Sequence, residues 1–338
     1  MITLEEAQGL LLKETKVNDI EEVNIFNSLG RVLAEDILSP IDSPPFNKSP
    51  LDGYAVIAKS LEGVSKENPR ILKVIDKVFA GEVSCKKVGD GEAIRIMTGA
   101  KIPKGADCIV KQEDTEALNE NEVRIFVSHK AYDNFIYQGE DFKRGIKIIN
   151  KDKFLASSII TAIASLGISK VKVYKKPIVG IITTGDELQE PGEELKEGKI
   201  FNSNKAFLYT RLLELGAEPR IFDIAKDSIE GIVSVVEKAE KECQIIISTG
   251  GVSVGEKDLV LRAVESIGYR RLFWKISMKP GSPMFSAVKN GVIYIGLSGT
   301  PVAAATTFEL TARRVIAKML NCKDIDIRKV ERSEEHTS

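Results

Sequence analysis

The 338-residue chain holds two histidines, one tryptophan and four cysteines, and these shortages exclude several kinds of protein. With only His129 and His336 present, a histidine-rich metal centre is excluded. Cys85, Cys108, Cys243 and Cys322 lie far apart without CxxC pairing, so the pattern indicates neither a zinc ribbon nor a disulfide framework. An excess of one charge is also missing. Forty-eight Lys and Arg against 49 Asp and Glu leave a formal net charge of −1, which argues against a general nucleic-acid binder but leaves room for a local basic pocket. No apolar run reaches about 18 residues. The opening MITLEEAQGLLLKET is acidic and helix-like rather than a secretory leader, so a reducing cytoplasm and no membrane contact are expected.

What is present is a soluble composition, 43% hydrophobic and 29% charged, in a chain long enough for about two to three domains. Apolar residues recur at helical spacing over 4–15, and the same reading continues over 21–37 before Pro40. Pro40, Pro44, Pro45 and Pro50 then impose an extended, constrained loop. From residue 51 to about 127, short β-rich pieces separated by Gly, Asp and Asn predict an all-β module. A helix over 154–166 and a strand over 169–176 follow. After Pro177, strands and helices alternate regularly, ending in the strand VIYIGLS and a single helix over 303–320. That alternation predicts a doubly wound parallel sheet.

The stretch QIIISTGGVSVGEKD at 244–258 carries the most chemical information. Its Ile run reads as a strand buried on both faces, and Gly250, Gly251 and Gly255 let backbone approach a ligand at a helix start. It is neither a Walker lysine loop nor GxGxxG. Three further loops belong to the same sheet end: TTGDEL, with Thr184, Gly185, Asp186 and Glu187; MKPGSP, with Lys279, Pro280 and Gly281; and GLSGTP, with Ser298, Gly299 and Pro301. Each alone is a plain strand-to-helix turn. Four on the carboxyl side of one sheet favour a phosphorylated ligand, with Lys275 and Lys279 as anion anchors. In the β-rich half, Asp52-Gly53 reads by itself as a hairpin turn, and GEDFKRG, with Asp141, as a helix cap.

The set PPFNKSPLDGYAV, RIMTGAKIPKGADCIVKQED, GEDFKRG, TTGDEL, STGGVSVGEKD, FWKISMKPGSP and GLSGTPVAAATTFEL, in this order, resembles the molybdenum-insertion enzymes of molybdenum cofactor biosynthesis. These are bacterial MoeA and the E domain of gephyrin, and the resemblance covers the chain to about Asn321. It implies a multidomain α/β protein: an elongated α+β dimerisation domain from 1–42 and 138–175, a β-rich inserted domain over 43–137, and a doubly wound molybdopterin-binding domain over 176–322. The implied activity takes adenylylated molybdopterin and molybdate, releases AMP with a divalent cation, usually Mg²⁺, and leaves molybdenum on the dithiolene. By motif match, Asp52, Thr98, Asp141, Glu187, Asp227 and Asp258 carry over as catalytic, with Glu187 and Asp258 toward the metal. Thr184, Gly185, Asp186, Gly250, Gly251, Ser253, Gly255, Lys275, Lys279, Pro280, Gly281, Ser298, Gly299 and Pro301 carry over to substrate. A homodimer is implied, and molybdopterin adenylyltransferase is a candidate partner.

Three positions depart from the family pattern: Thr300 where Asn is usual before the proline, Asn202 where Asp is common, and Ser282 where Lys is frequent. The final RSEEHTS, 332–338, reads as a translated sequencing adapter, so 323–338 is taken as a truncated end with a non-native tail. Two rival readings stand beside the main one. An adenylyltransferase-like enzyme is disfavoured by the long N-terminal half, and a non-catalytic ligand-binding scaffold by the six polar cleft residues.

Overall fold

The computed structural model describes residues 1–222, 228–252 and 259–327. They form two compact units, Met1–Asp36 with Ile149–Ser338, and Ile37–Ile148. The chain begins with α1 (Leu4–Glu14) and β1 (Ile20–Asn24), then β2 (Ile37–Leu38), β3 (Gly53–Val56), β4 (Arg70–Val78), β5 (Glu92–Ile96), β6 (Cys108–Lys111), β7 (Thr115–Asn119), β8 (Glu122–Ile125) and β9 (Lys147–Ile149). Next come α2 (Ser157–Ser165), β10 (Lys170–Tyr174), β11 (Ile178–Thr183), β12 (Leu188–Gln189), β13 (Ile200–Phe201), α3 (Ser203–Glu214), β14 (Glu218–Ile221), α4 (Ile229–Ala239) and β15 (Ile245–Thr249). The last elements are α5 (Leu259–Ser266), β16 (Arg270–Trp274), β17 (Phe285–Lys289), β18 (Val292–Leu297), α6 (Pro301–Leu310) and α7 (Ala312–Met319).

In the larger unit six strands take the order β14-β11-β15-β18-β17-β16. The first four are parallel, and β17 and β16 are antiparallel to their neighbours. Every residue of β15 is buried, as a strand covered on both faces requires. One face packs α1, α3, α6 and α7 through Leu11, Leu208, Phe308 and Val315. The other packs α4 and α5 through Val236 and Val264. The architecture is therefore mixed α/β, with a sheet that is only partly parallel. The alternation reading missed β17, although Asn290-Gly291, both at positive φ, join it to β18 by a tight hairpin turn.

Two helix readings need correction. Residues 21–37 are not helical: β1 pairs antiparallel with β10, Ile20 opposite Tyr174, and a single 3-10 turn follows at Ile25–Asn27. The available strand partner overrides the spacing. The helix expected over 303–320 breaks at Thr311 into α6 and α7. Thr307 and Thr311 hydroxyls donate to the carbonyls of Ala303 and Thr307 at 2.7 and 2.5 Å, a back-bonding that bends helices. By contrast α1 begins as its sequence dictates. Thr3 and Glu6 form a reciprocal capping box, with Thr3 Oγ1 accepting from the Glu6 N–H at 3.1 Å and Glu6 Oε2 from the Thr3 N–H at 2.8 Å.

The smaller unit is one six-stranded sheet, β6-β3-β5-β4-β8-β7, in which β4 and β5 alone pair parallel. Val56, Leu72 and Val110 fill one face and Ala55, Ile94 and Ile109 the other. Residues 37–42 and 138–148 fall within this unit, where the sequence placed them with the elongated domain. Asp42 accepts from Gln138 Nε2 and the Arg144 N–H at 2.9 Å each, and the Asp141 N–H donates to the Ser43 carbonyl at 2.8 Å. No helix of the described residues is long and apolar enough to cross a membrane.

Candidate active site

In the larger unit, β11 leads to a helix on one face of the sheet and its neighbour β15 to a helix on the other. Adjacent strands that part in this way leave a crevice beyond their carboxyl ends, where open α/β sheets bind ligands. The loops meet there closely. Gly250 has φ +91°, and a Cβ on it would lie 2.3 Å from the Thr184 carbonyl oxygen, so only glycine lets the two loops touch. Gly299 lies against Gly250 in turn, its would-be Cβ 3.4 Å from the Gly250 Cα. Gly251 sits over Val260 and Thr184. Thr184 is buried, its N–H donating to the Thr249 carbonyl at 3.0 Å.

Polar side chains fix the rim. Glu187 turns its carboxylate back over Gly185, whose φ is +140°. The Glu187 carbonyl accepts from the Ile200 N–H at 2.8 Å, Lys199 Nζ donates to the Asp186 carbonyl, and the Asp186 and Glu187 side chains remain exposed. Asn204 Nδ2 holds the Gly299 carbonyl at 2.7 Å. Ser298 is buried with its Oγ accepting from the Thr300 N–H at 3.3 Å, and Pro301 occupies the first position of α6. Asn202, one of the family departures, is buried as the N-cap of α3. It accepts from the Lys205 N–H at 3.2 Å and donates to Thr183 Oγ1 at 2.9 Å, so it secures the crevice wall rather than reaching into it.

The fourth loop follows β16. Gly281 lies under Thr307 and 3.6 Å from the Ala303 carbonyl by its would-be Cβ, which sets this loop against the first turns of α6. Lys279 and Pro280 are exposed. Lys275 takes a left-handed φ of +65°, held by its N–H to the Met284 carbonyl at 2.8 Å and its carbonyl to the Ile2 N–H at 3.2 Å. The N-terminal residues thus brace the lysine loop. Sequence reading gave no sign of this, because α1 lies at the far end of the chain from β16.

In the smaller unit, Asp52 Oδ1 accepts from both the Thr98 N–H and its hydroxyl, each at 2.7 Å. These bonds, the hydroxyl first, hold the Asp52 carboxyl below its ordinary value against a small opposing effect of burial, with Arg95 adding a favourable charge. The Asp52-Gly53 pair is not a hairpin turn. Gly53 begins β3, and a Cβ there would stand 1.9 Å from the Val110 carbonyl oxygen. Close strand packing, not turn geometry, demands this glycine. Asp141 is exposed, with Ser43 Oγ donating to its Oδ2 at 3.4 Å, rather than capping a helix. Asp227, Ser253, Gly255 and Asp258 lie outside the described residues.

The structure brings Thr184, Gly185, Asp186, Glu187, Gly250, Gly251, Ser298, Gly299 and Pro301 to one crevice and sets the Lys275–Lys279 loop against the same helix start. Fold and site therefore define a class: a mixed α/β protein with glycine-lined loops at the switch point of its sheet. Known proteins carry the assignment further. Residues 2–167 match the family described as MoeA N-terminal region (domain I and II), and 180–318 the one described as "Probable molybdopterin binding domain". The molybdopterin molybdenumtransferase of Staphylococcus epidermidis is 39% identical over 95% of this chain and 77% of its own length. That of Bacillus subtilis is 39% identical over 94% and 75%. A crystal structure of the MoeA protein of molybdopterin biosynthesis from Pyrococcus horikoshii superposes with a TM-score of 0.80, at 35% identity over 95% of this chain and 80% of that one. The chain belongs to the MoeA family of molybdopterin molybdenumtransferases.

Proposed function

We propose that the crevice binds adenylylated molybdopterin and that the chain inserts molybdenum from molybdate into it, releasing AMP. Molybdenum insertion in cofactor biosynthesis is the activity carried in the relatives' name. The observation that carries the substrate reading is the contact of Gly250 with Thr184 and Gly299, which opens backbone from three strand-end loops to one anionic ligand. Lys275 and Lys279 supply positive charge beside it, and the first turn of α6 presents its N–H groups. Asp52, Thr98, Asp141, Glu187, Asp227 and Asp258 are the catalytic residues in this reading.

A divalent cation fits the acidic rim. No group of three His, Cys, Asp or Glu side chains gathers among the described residues, but Mg²⁺ commonly keeps its waters and takes about one or two carboxylates together with substrate phosphates. Glu187 and, beyond the described residues, Asp258 would hold it. When bound it neutralises charge on the phosphoanhydride. The chain's own residues bind and orient the anion: Lys275 and Lys279 by charge, and the glycine loops by backbone approach.

The finer architecture proposed is an elongated domain built from both sides of a β-rich insertion, followed by the doubly wound 176–322 domain, in a cytoplasmic homodimer that receives its substrate from the adenylyltransferase. Support for the dimer comes from α2, mostly apolar with Ile163 its one fully buried residue, beside Phe26 at 88% and Leu29 at 66% exposure. The direct test incubates purified protein with adenylylated molybdopterin. AMP release that requires both molybdate and Mg²⁺ is expected, and release indifferent to molybdate would rule the reading out.

A further inference from the structure

Trp274 is the single tryptophan of the chain and the last residue of β16, and no role for it follows from the motifs. It is 36% exposed at the edge of the sheet, although a large aromatic of no function gains by burial. Its ring lies 4.1 Å from Lys275 Nζ, inside the range in which an indole face attracts an ammonium. Side chains of consecutive residues on an extended strand point to opposite faces. The pair meets because Lys275 leaves the strand at φ +65°, a conformation that favours glycine. Backbone bonds to Met284 on one side and Ile2 on the other maintain that conformation. A non-glycine residue kept there by surrounding bonds marks a place where position is worth strain.

We infer that Trp274 is a positioning residue: its indole face holds the Lys275 ammonium over the crevice loop, oriented for an oxyanion of the substrate before the substrate arrives. An exposed lysine otherwise loses rotamer freedom on binding, and that loss weakens affinity. The indole occupies one side of the ammonium and leaves the remaining N–H donors for the ligand. The inference rests on the reading of Lys275 as an anion anchor, and its test needs no turnover.

Because Trp274 is the only tryptophan, its emission reports on Lys275 directly. Titration of the whole chain with sodium molybdate, and separately with inorganic pyrophosphate, should give a saturable change in indole emission with at least one of the two. The change should vanish in Lys275→Met. In the AMP-release assay, Trp274→Leu should raise KM for adenylylated molybdopterin about two- to fivefold with kcat unchanged, and Trp274→Phe, which keeps an aromatic face, by less than Trp274→Leu. Emission that responds to neither anion, or equally in Lys275→Met, overturns the inference. So does a Trp274→Leu protein with wild-type melting temperature and unchanged KM. Should Trp274→Leu fail to fold, the Lys275→Met titration decides alone. Wild-type protein that shows the emission change yet releases no AMP would count against the proposed activity and leave this inference standing.

Discussion

At the residue scale, Asp52 shows how local bonding sets a charge. Its Oδ1 takes both bonds from Thr98, and an asparagine oxygen can take the same two. Asp52→Asn should therefore lower the melting temperature no more than Thr98→Val does, while lowering AMP release at least about tenfold, roughly 1.4 kcal/mol of barrier. Equal loss of activity and stability would make Asp52 structural. The pH dependence follows in sign. The folded carboxyl titrates below the unfolded value of about 3.9, so its stabilisation is present above that pH and is lost as pH falls through the lower folded value. Thr98→Val should melt earlier than wild type at pH 6, and the gap should narrow toward pH 2.5. A gap that stays constant in thermal melts would dissociate Thr98 from Asp52. The cysteines give a second expectation. Burial pushes the Cys108 thiol up to about 12 and that of Cys243 to about 11, and raises Cys322, whereas Cys85 is exposed. One thiol per chain should react rapidly with a disulfide reagent at pH 8, and Cys85→Ser should remove it.

At the element scale, α3, α6 and α7 are tied by one carboxylate. Glu309 accepts from Arg211 Nε at 2.5 Å and Nη2 at 3.2 Å, and from Arg313 Nη1 at 2.8 Å. Burial alone would raise its carboxyl, but the bonds from Arg211 and Arg313 outweigh that and bring it below the ordinary value. The side chains are about a quarter exposed, so screening discounts the interaction. Glu309→Gln should cost about 1–2 kcal/mol, read as a lower urea midpoint at pH 7. The difference should shrink as pH falls through the lowered carboxyl value, because the stabilisation needs the ionised form. A midpoint unchanged at pH 7 would mean that packing alone joins these helices. Thr311, where α6 ends, illustrates what periodicity cannot see. Apolar spacing runs through it, and the break comes from hydroxyl bonds to carbonyls one turn back.

At the scale of the whole molecule, the proposed two-fold dimer makes a plain expectation. Light scattering at micromolar concentration should give twice the chain mass, and Phe26→Glu, which charges the most exposed large apolar side chain among the described residues, should shift it toward monomer without unfolding. A fully active monomer in the wild type would defeat the dimer.

The strand-end loops were legible because their signals are local. Ile245–Thr249 has no polar alternation to expose, the glycines follow directly, and Pro301 marks a helix start within its own turn. The larger unit's helices at α3 and α4 were legible for the same reason. What the tertiary structure decided are the approaches between distant segments. Gly53 is required by the Val110 carbonyl, Gly250 by Thr184, and the Lys275 backbone by Ile2, each a contact across at least about 50 residues that no spacing encodes. Register is decided in the same way. The sheet turns from parallel to antiparallel at β17, and residues 20–24 become a strand only because β10 offers a free edge. Sequence periodicity records which face of a segment is apolar, whereas the partner that covers it exists only once the chain has closed on itself.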